Sequence, residues 1–373
     1  MTRRALLLTV DYAPQTGGQP LLVSSIVDAT ADLVDWRVVT AAPSDEHDEH
    51  VVRTSGLLGI LRATWAQRHW LAEADDRLIV SGHVYLGWVA HLVGLVTRTK
   101  VSTLCYGREL VPARLHQRVA LRSMRHDHRV ITISAHPERL LHRLGIAPER
   151  TGWVGCELTP PAPVAASLKA TARPRTDGAR LVAITRLAEG YKNLEVVIRA
   201  AAILAADGTV DRLTIVGDGP RRGALAARIE QLGAGDTVVL AGRLDDQEMA
   251  DVLADADIGL FPSRDSIAEG GFEGFGIVVQ ELATAGLPVV VGDAAGATDA
   301  AHPEWSRLVD PDDLRQWVET IDELVSDTTQ RAALATAAAD FGRALDTVPT
   351  ARAYLDELRG APTPAPISQR TVI

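Results

Sequence analysis

The amino-acid sequence predicts an α/β protein of two similar domains, each a parallel sheet with helices on both faces. Three observations carry that prediction. Short apolar runs alternate with amphipathic stretches of about ten to sixteen residues whose apolar spacing is near 3.6. The alternation breaks once, in a stretch rich in Pro, Ala and Thr, and then restarts. The 373 residues suit about two domains at ~100–200 residues each.

In the first half, Ala5–Val10, Trp36–Thr40, Arg77–Ser81, Val101–Cys105, Arg129–Ile133 and Gly152–Gly155 read as strands separated by helices. Such alternation implies βαβ units and a parallel sheet. Pro160–Gly178 has no periodic apolar face and reads as a linker. Strands resume at Leu181–Thr185, Arg212–Val216, Thr237–Ala241, Asp257–Pro262 and Leu287–Val291. Asp312–Ser326, Thr328–Ala344 and Val348–Arg359 read as helices, and no repeat of solenoid period is present. From Ala361 the chain (APTPAPISQRTVI) has three prolines and little to bury, and reads as disordered. The predicted division is therefore a Rossmann-like domain at 1–160, a linker at 161–178 and a second Rossmann-like domain at 179–345. A helix at 346–360 that packs back on the first domain follows, and then the tail at 361–373. Ligands bind beyond the carboxyl ends of strands in open parallel sheets. Two such sheets facing each other would set the active site in a deep cleft between them.

Composition excludes several classes. Hydrophobic residues make up 46% and charged ones 23%, which is ordinary globular usage. Lys+Arg number 38 against Asp+Glu 48, a formal net charge of -10, which disfavours non-specific nucleic-acid binding. Cys105 and Cys156 are too few for a disulfide scaffold or a Cys-rich zinc site and suit a reducing compartment. The N-terminal run Ala5–Val10 is too short for a signal-peptide core. Val84–Val96, interrupted by His91, falls short of the ~20 residues of a bilayer span. A soluble, cytoplasmic protein is the expectation.

The residue pattern richest in chemistry is Phe261–Gly286, FPSRDSIAEGGFEGFGIVVQELATAG. Gly274-Phe275-Gly276 opens an apolar helix, where close-approaching backbone and free N–H groups attract anions. Glu273 and Glu281 lie about two helical turns apart, along one side. Ile277, Val278, Val279, Leu282 and Ala283 surround Glu281, and a carboxylate in such company is costly unless something hydrogen-bonds it. The second pattern is Arg186-Leu-Ala-Glu-Gly-Tyr-Lys192, just after a strand. Two cations there suit the phosphates of a nucleoside diphosphate; the plainer reading is an Arg186–Glu189 surface pair with a solvated lysine. Gly17-Gly18, after the first strand, could bring backbone N–H groups to a phosphate, although ordinary turns use the same pair.

Taken together, VAITRLAEGYKNLEVVIRAAAIL, LTIVGDGP, VVLAGRLDDQEMADVLADADIGLFPS and EGFGIVVQELATAGLPVVV resemble the C-terminal half of GT-B glycosyltransferases, in particular the retaining family 4 enzymes with their E-x7-E motif. The resemblance continues through PQTGG, ITISAHPERLLHRLGI and GWVGCE, and covers nearly the whole chain before the tail. It implies the GT-B fold and metal-independent transfer of a sugar, with retention, from a UDP- or GDP-linked donor to an acceptor hydroxyl. The acceptor would be a small molecule, a lipid-linked molecule or a glycan, and no cofactor is implied. Arg186 and Lys192 would hold the diphosphate, Glu273 the donor-sugar hydroxyls and Glu281 the ribose hydroxyls. Backbone amides at Gly274, Phe275, Gly276 and Ile277 would contact sugar and phosphate. The base would pack near Arg243 and Leu244, and Gly17 and Gly18 would close on the phosphates from the other domain. One departure stands out: many relatives carry a His-Gly pair after the fourth N-terminal strand, where this chain has Tyr106-Gly107-Arg108. Tyr106, Arg108 and His83 are the acceptor-side candidates.

The family's chemistry would be a front-face displacement, in which the leaving phosphate helps deprotonate the acceptor. A sugar-nucleotide-binding protein without transfer activity, or a GT-B-fold epimerase or phosphorylase, are the alternatives. Two other motifs carry less. Asp255-Ala-Asp257 has the D-x-D form of a metal motif but joins a helix to a strand. Gly217-Asp-Gly219 follows a strand, but Arg222 replaces the third glycine of a dinucleotide fingerprint. Arg114, Arg118, Arg122, Arg125 and Arg129 recur at steps of three and four, a basic stripe if helical. It would suit a solvated face, or peripheral contact with an anionic inner membrane surface or an acceptor phosphate. The high Ala and Arg content points to a GC-rich bacterial source.

Overall fold

A computed structural model describes residues 2–15, 17–44, 48–111, 115–157 and 178–361. The chain divides into two compact units: residues 1–158 together with 346–373, and residues 159–345.

The first unit runs β1 (Arg3–Thr9), α1 (Gly18–Ala29), β2 (Asp35–Thr40), β3 (Val51–Arg53), α2 (Gly56–Ala66), α3 (Arg68–Ala72), β4 (Asp76–Ser81), α4 (Gly87–Thr97), β5 (Lys100–Cys105), α5 (Leu115–Ser123), β6 (Arg129–Thr132), α6 (Ala135–Arg143) and β7 (Thr151–Trp153). Its seven strands are parallel in the order β3-β2-β1-β4-β5-β6-β7. In β1 every residue from Ala5 to Leu8 is buried, the mark of a central strand covered on both faces. Ala5 stands between Trp36 of β2 and Leu78 of β4. On one face Leu6, Leu8, Val39 and Ile79 pack under Ile60, Val89 and Val93 of α2 and α4.

The second unit runs β8 (Ala179–Ile184), α7 (Leu194–Ala205), β9 (Val210–Val216), α8 (Arg222–Gln231), β10 (Val238–Gly242), α9 (Asp246–Asp255), β11 (Ile258–Phe261), α10 (Ile277–Thr284), β12 (Val289–Gly292), α11 (Ala295–Ala300), β13 (Ser306–Val309), α12 (Leu314–Ser326) and α13 (Thr328–Ala344). Its six strands are parallel in the order β10-β9-β8-β11-β12-β13. The core on one face joins Leu181, Ile215, Leu260 and Val290 of the sheet to Val197 and Ala201 of α7 and to Trp317 and Ile321 of α12. Asp313 and Asp327 cap α12 and α13, accepting hydrogen bonds from Arg315 and Gln316 N–H and from Thr329 and Gln330 N–H.

A final helix, α14 (Thr347–Arg359), returns to the first unit. Its Tyr354 hydroxyl donates to the Val154 carbonyl at 2.6 Å, and Ser102 Oγ donates to the Leu358 carbonyl at 2.7 Å. Gly360, at φ +81°, ends it.

The strands expected from apolar spacing lie within about two residues of observed ones. Two strands escaped it. β3 (VVR) is three residues long and half-buried, and β13 (SRLV) buries only its ends, so neither shows a clear apolar run. Of the expected linker and tail, only Gly178 and Ala361 fall within the described residues.

The basic stripe is corrected. α5 ends at Ser123 and Arg129 opens β6, where it pairs with Glu357 of α14. Arg125 donates to the Leu144 carbonyl at 2.8 Å. Arg118 and Arg122 are thus the only members of the stripe inside one helix, because strand geometry does not continue a 3.6-residue period; Arg114 lies outside the described residues. Asp255 and Asp257 serve structure: Arg180 pairs with Asp255 at 2.5 Å and with Asp211 at 2.9 Å, and Asp257 accepts from the Arg180 N–H at 2.9 Å. No helix among the described residues is long and apolar enough to cross a membrane.

Candidate active site

In the second unit the loops that leave β8, β9, β10, β11 and β13 are stitched together at the carboxyl edge of the sheet. Leu187 N–H donates to the Asp218 carbonyl, and Arg221 N–H donates back to that of Leu187 at 2.8 Å. Gly217 N–H donates to the Gly242 carbonyl at 2.7 Å, joining the β9 loop to the residue before Arg243. Arg264 N–H donates to the Tyr191 carbonyl at 2.8 Å, and the Asn193 side chain donates to that of Pro311 at 2.6 Å. Gly217 and Gly219 allow a close approach. A Cβ on Gly217 would stand 1.9 Å from the Thr185 carbonyl oxygen, and one on Gly219 would stand 2.4 Å from that of Leu187. The Gly-Asp-Gly stretch therefore braces the loop that carries Arg186.

On this edge Lys192 and Glu273 meet. The Lys192 ammonium, at the end of a short turn after β8, donates to the Glu273 carboxylate, and both side chains are largely buried. The lysine also lies 5.0 Å from the Tyr191 ring and 6.0 Å from the Phe261 ring. Ser263 Oγ donates to Glu273 at 3.4 Å. The Glu273 carbonyl accepts from Gly296 N–H, which seats α11 against the Gly274–Gly276 segment. Gly276, at φ +89°, is the residue before α10, and the Phe275 ring beside it is buried. Ile277 is the first residue of the helix.

Glu281 lies in the middle of α10, half-buried among apolar neighbours. Desolvation raises its pKa, and among the described residues no hydrogen bond or ion pair reaches its carboxylate. A carboxylate kept in such surroundings suits a ligand that donates hydrogen bonds. Arg186 is mostly exposed, 3.7 Å from Glu189, so the plainer expected pair is present. Both cations nevertheless line one cavity of about 300 Å³, together with Glu189, Arg221, Arg264 and Asp312. Glu273, Glu281 and Arg243 do not line it. Arg243 is exposed and Leu244 half-buried, directly before the Asp245–Glu248 capping box of α9.

In the first unit the carboxyl ends of β1, β4 and β5 gather a second group. Gly17, at φ +132°, precedes Gly18, the first residue of α1. The His83 ring accepts from Tyr85 N–H at 3.3 Å and lies 4.7 Å from the Tyr85 ring, tilted at 47° to it. Burial lowers its pKa against the opposing pull of Glu109 and Asp11. Tyr106 is not open to an acceptor: it is buried, its hydroxyl donates to the Gly82 carbonyl at 3.0 Å, and its N–H donates to Glu109 at 2.5 Å. It is an anchor beneath the loop that bears His83. Arg108 next to it is exposed. Glu109, which accepts from Tyr106 N–H in its own loop, and Asp11 were missed because nothing in local spacing shows that their charges act on His83.

Comparison with known proteins agrees with this fold. Residues 168–341 match the family model of glycosyl transferases group 1. Over 89% of its length the chain is 28% identical to a GDP-mannose-dependent alpha-(1-6)-phosphatidylinositol monomannoside mannosyltransferase of Mycolicibacterium smegmatis, spanning 92% of that protein. Over 89% it is 27% identical to a D-inositol 3-phosphate glycosyltransferase of Thermobispora bispora, spanning 82% of it. It is 30% identical to a related mannosyltransferase of Corynebacterium glutamicum, but spans only 42% of that protein. The solved structure of Anabaena HepE in complex with UDP superposes with a TM-score of 0.74 at 19% identity, covering 95% of this chain and 99% of that one. Fold and local match point the same way: the chain has the GT-B fold, and its residues 168–341 match the glycosyl transferases group 1. The full-length relatives among these are named as a mannosyltransferase and a glycosyltransferase.

Proposed function

We propose that this protein moves a sugar from a UDP- or GDP-linked donor to an acceptor hydroxyl, with retention of configuration and without a metal ion. The observation that carries the reading is the Lys192–Glu273 pair beside Arg186, at the carboxyl edge of the second sheet and next to the start of α10. Lysine and glutamate neutralise each other here. A bound donor would give Lys192 its diphosphate as a better partner and leave Glu273 to accept from sugar hydroxyls. Arg186 and Lys192 together supply two positive charges where the leaving diphosphate gains negative charge, which is the work a divalent ion does in other enzymes. The front-face route then asks the protein mainly for positioning, with the departing phosphate oxygen taking the acceptor's proton. Glu281 would accept from the ribose hydroxyls. Two relatives bear GDP-mannose in their names and the HepE neighbour was solved with UDP, so both bases belong in the test.

The test is thermal shift with UDP-, GDP- and dTDP-sugars, followed by transfer assays in the presence of EDTA and NMR of the product's anomeric proton. Selective stabilisation with an anomerically retained product supports the reading. Binding without turnover across acceptors would make this a sugar-nucleotide-binding protein instead, and loss of activity in EDTA would overturn metal independence.

A linked prediction concerns Glu281→Gln. A carboxyl whose folded pKa is raised contributes stability below the ordinary glutamate range of about 4.3, and that stability is lost as pH rises through the folded value. The unliganded variant should therefore melt higher than the parent at pH near 8, with the gap closing in acid. Donor affinity should fall about 10- to 100-fold, the worth of a hydrogen bond to a charged acceptor. Calorimetry with UDP and GDP measures it; unchanged affinity would remove Glu281 from the donor site.

A further inference from the structure

We infer that α2 and α4 of the first unit form a surface that docks on an anionic lipid bilayer. α4 has no charged side chain except His91. Its inner face (Val89, Ala90, Val93) is core, yet Trp88, Leu92 and Leu95, at i, i+4 and i+7, form an outward stripe, with Leu95 79% exposed and Val96 beside it 57% exposed. Helix α2 packs alongside it and exposes Leu57, Leu58 and Trp65, Leu58 at 69%. A helix apolar on both its buried and its open side needs a partner for the open one. At eleven residues α4 is far too short to span a bilayer, so it would lie in the interface.

Charge says which partner. In a chain of net charge -10, Leu95 opens onto a cavity of about 730 Å³ also lined by Arg98, Lys100, His126, Arg129 and Arg150. The acids facing it are Asp127, buried against His91 at 2.6 Å, and exposed Glu149. Arg129 is offset by its pair with Glu357, which leaves Arg98, Lys100 and Arg150 as the rim cations. Nearby, Glu73 pairs with Arg4, and Asp76 with Arg3 and Arg359. On α2, Arg62 is exposed, and the guanidinium of Arg68, which opens α3, lies 5.1 Å from the Trp65 ring. Apolar side chains flanked by tryptophans and rimmed with cations match acyl chains beneath anionic headgroups. A second copy of this chain docked across a two-fold axis would set the same cationic rim against itself.

The experiment is co-sedimentation of the full chain with vesicles of phosphatidylcholine and of phosphatidylcholine mixed with phosphatidylglycerol. Binding is expected to the mixed vesicles, weakening as salt rises, and Arg98→Glu/Lys100→Glu should lower it about tenfold or more. Leu92→Ser/Leu95→Ser, which alters only exposed side chains, should lower it similarly while donor-induced thermal stabilisation stays intact. Hydrogen exchange on the unaltered protein adds a readout that needs no variant: residues 87–100 should gain protection when mixed vesicles are present. Absence of binding, equal binding to both vesicles, or unchanged protection overturns the proposal. So does a dimer in sedimentation velocity that Leu92→Ser/Leu95→Ser converts to monomer, which would give the face to a second copy.

Discussion

Replacing Lys192 by Ala is expected to reduce turnover about 10²- to 10³-fold, the usual cost of losing one group aimed at developing charge. Stability should fall as well, because the substitution strands the Glu273 carboxylate in a largely buried position. The two effects can be separated. Lys192→Met/Glu273→Gln removes the stranded charge and should recover most of the lost melting temperature, yet it leaves the diphosphate without its cation. Glu273→Gln alone sets the carboxylate's share, and a double variant whose rate stays well below that of Glu273→Gln while stability returns identifies Lys192 as a donor-binding group. If turnover returned together with stability, the lysine would be a structural partner of Glu273 and nothing more. Steady-state donor consumption alongside thermal melts makes the comparison.

Gly217→Ala should be among the most disruptive changes to the second unit. The backbone there is at φ +130°, and the new methyl would stand 1.9 Å from the Thr185 carbonyl oxygen, which belongs to the brace behind Arg186. Backbone strain of about 1–3 kcal/mol and overpacking of about 1–3 kcal/mol add to roughly 2–6 kcal/mol. In a unit of this size that lowers the melting temperature by roughly 5–20 °C. Gly223→Ala is the matched control. It lies in α8 with open space where its Cβ would go, and should stabilise by about 0.4–1 kcal/mol. Similar melting temperatures for the two variants would contradict the bracing role of the Gly217 turn.

Much of the site was legible because its signals are local. Arg186 and Lys192 stand out as cations directly after a strand, and Glu281 as an acid inside an apolar helix; both features are written within about ten residues of chain, the range over which periodicity reports. The partnership of Lys192 with Glu273 was not legible, since 81 residues separate them and only the adjacency of β8 and β11 brings their loops together. Tyr106 illustrates the same limit. Its place after β5 marked it as an acceptor-side group, whereas the hydroxyl turns inward to Gly82 after β4, a direction no linear pattern encodes. Asp255 and Asp257 look like a metal motif in one dimension and are the partners of Arg180 in three.

What the amino-acid order settles by itself is the alternation of strand and helix and the positions of the charged residues, because each depends on neighbours a turn or two away. What only the folded chain decides is pairing: which lysine meets which glutamate, which glycine admits a passing carbonyl, and which leucines are left facing water. Those outcomes depend on strand order and close packing, which bring distant segments within a few ångströms of one another.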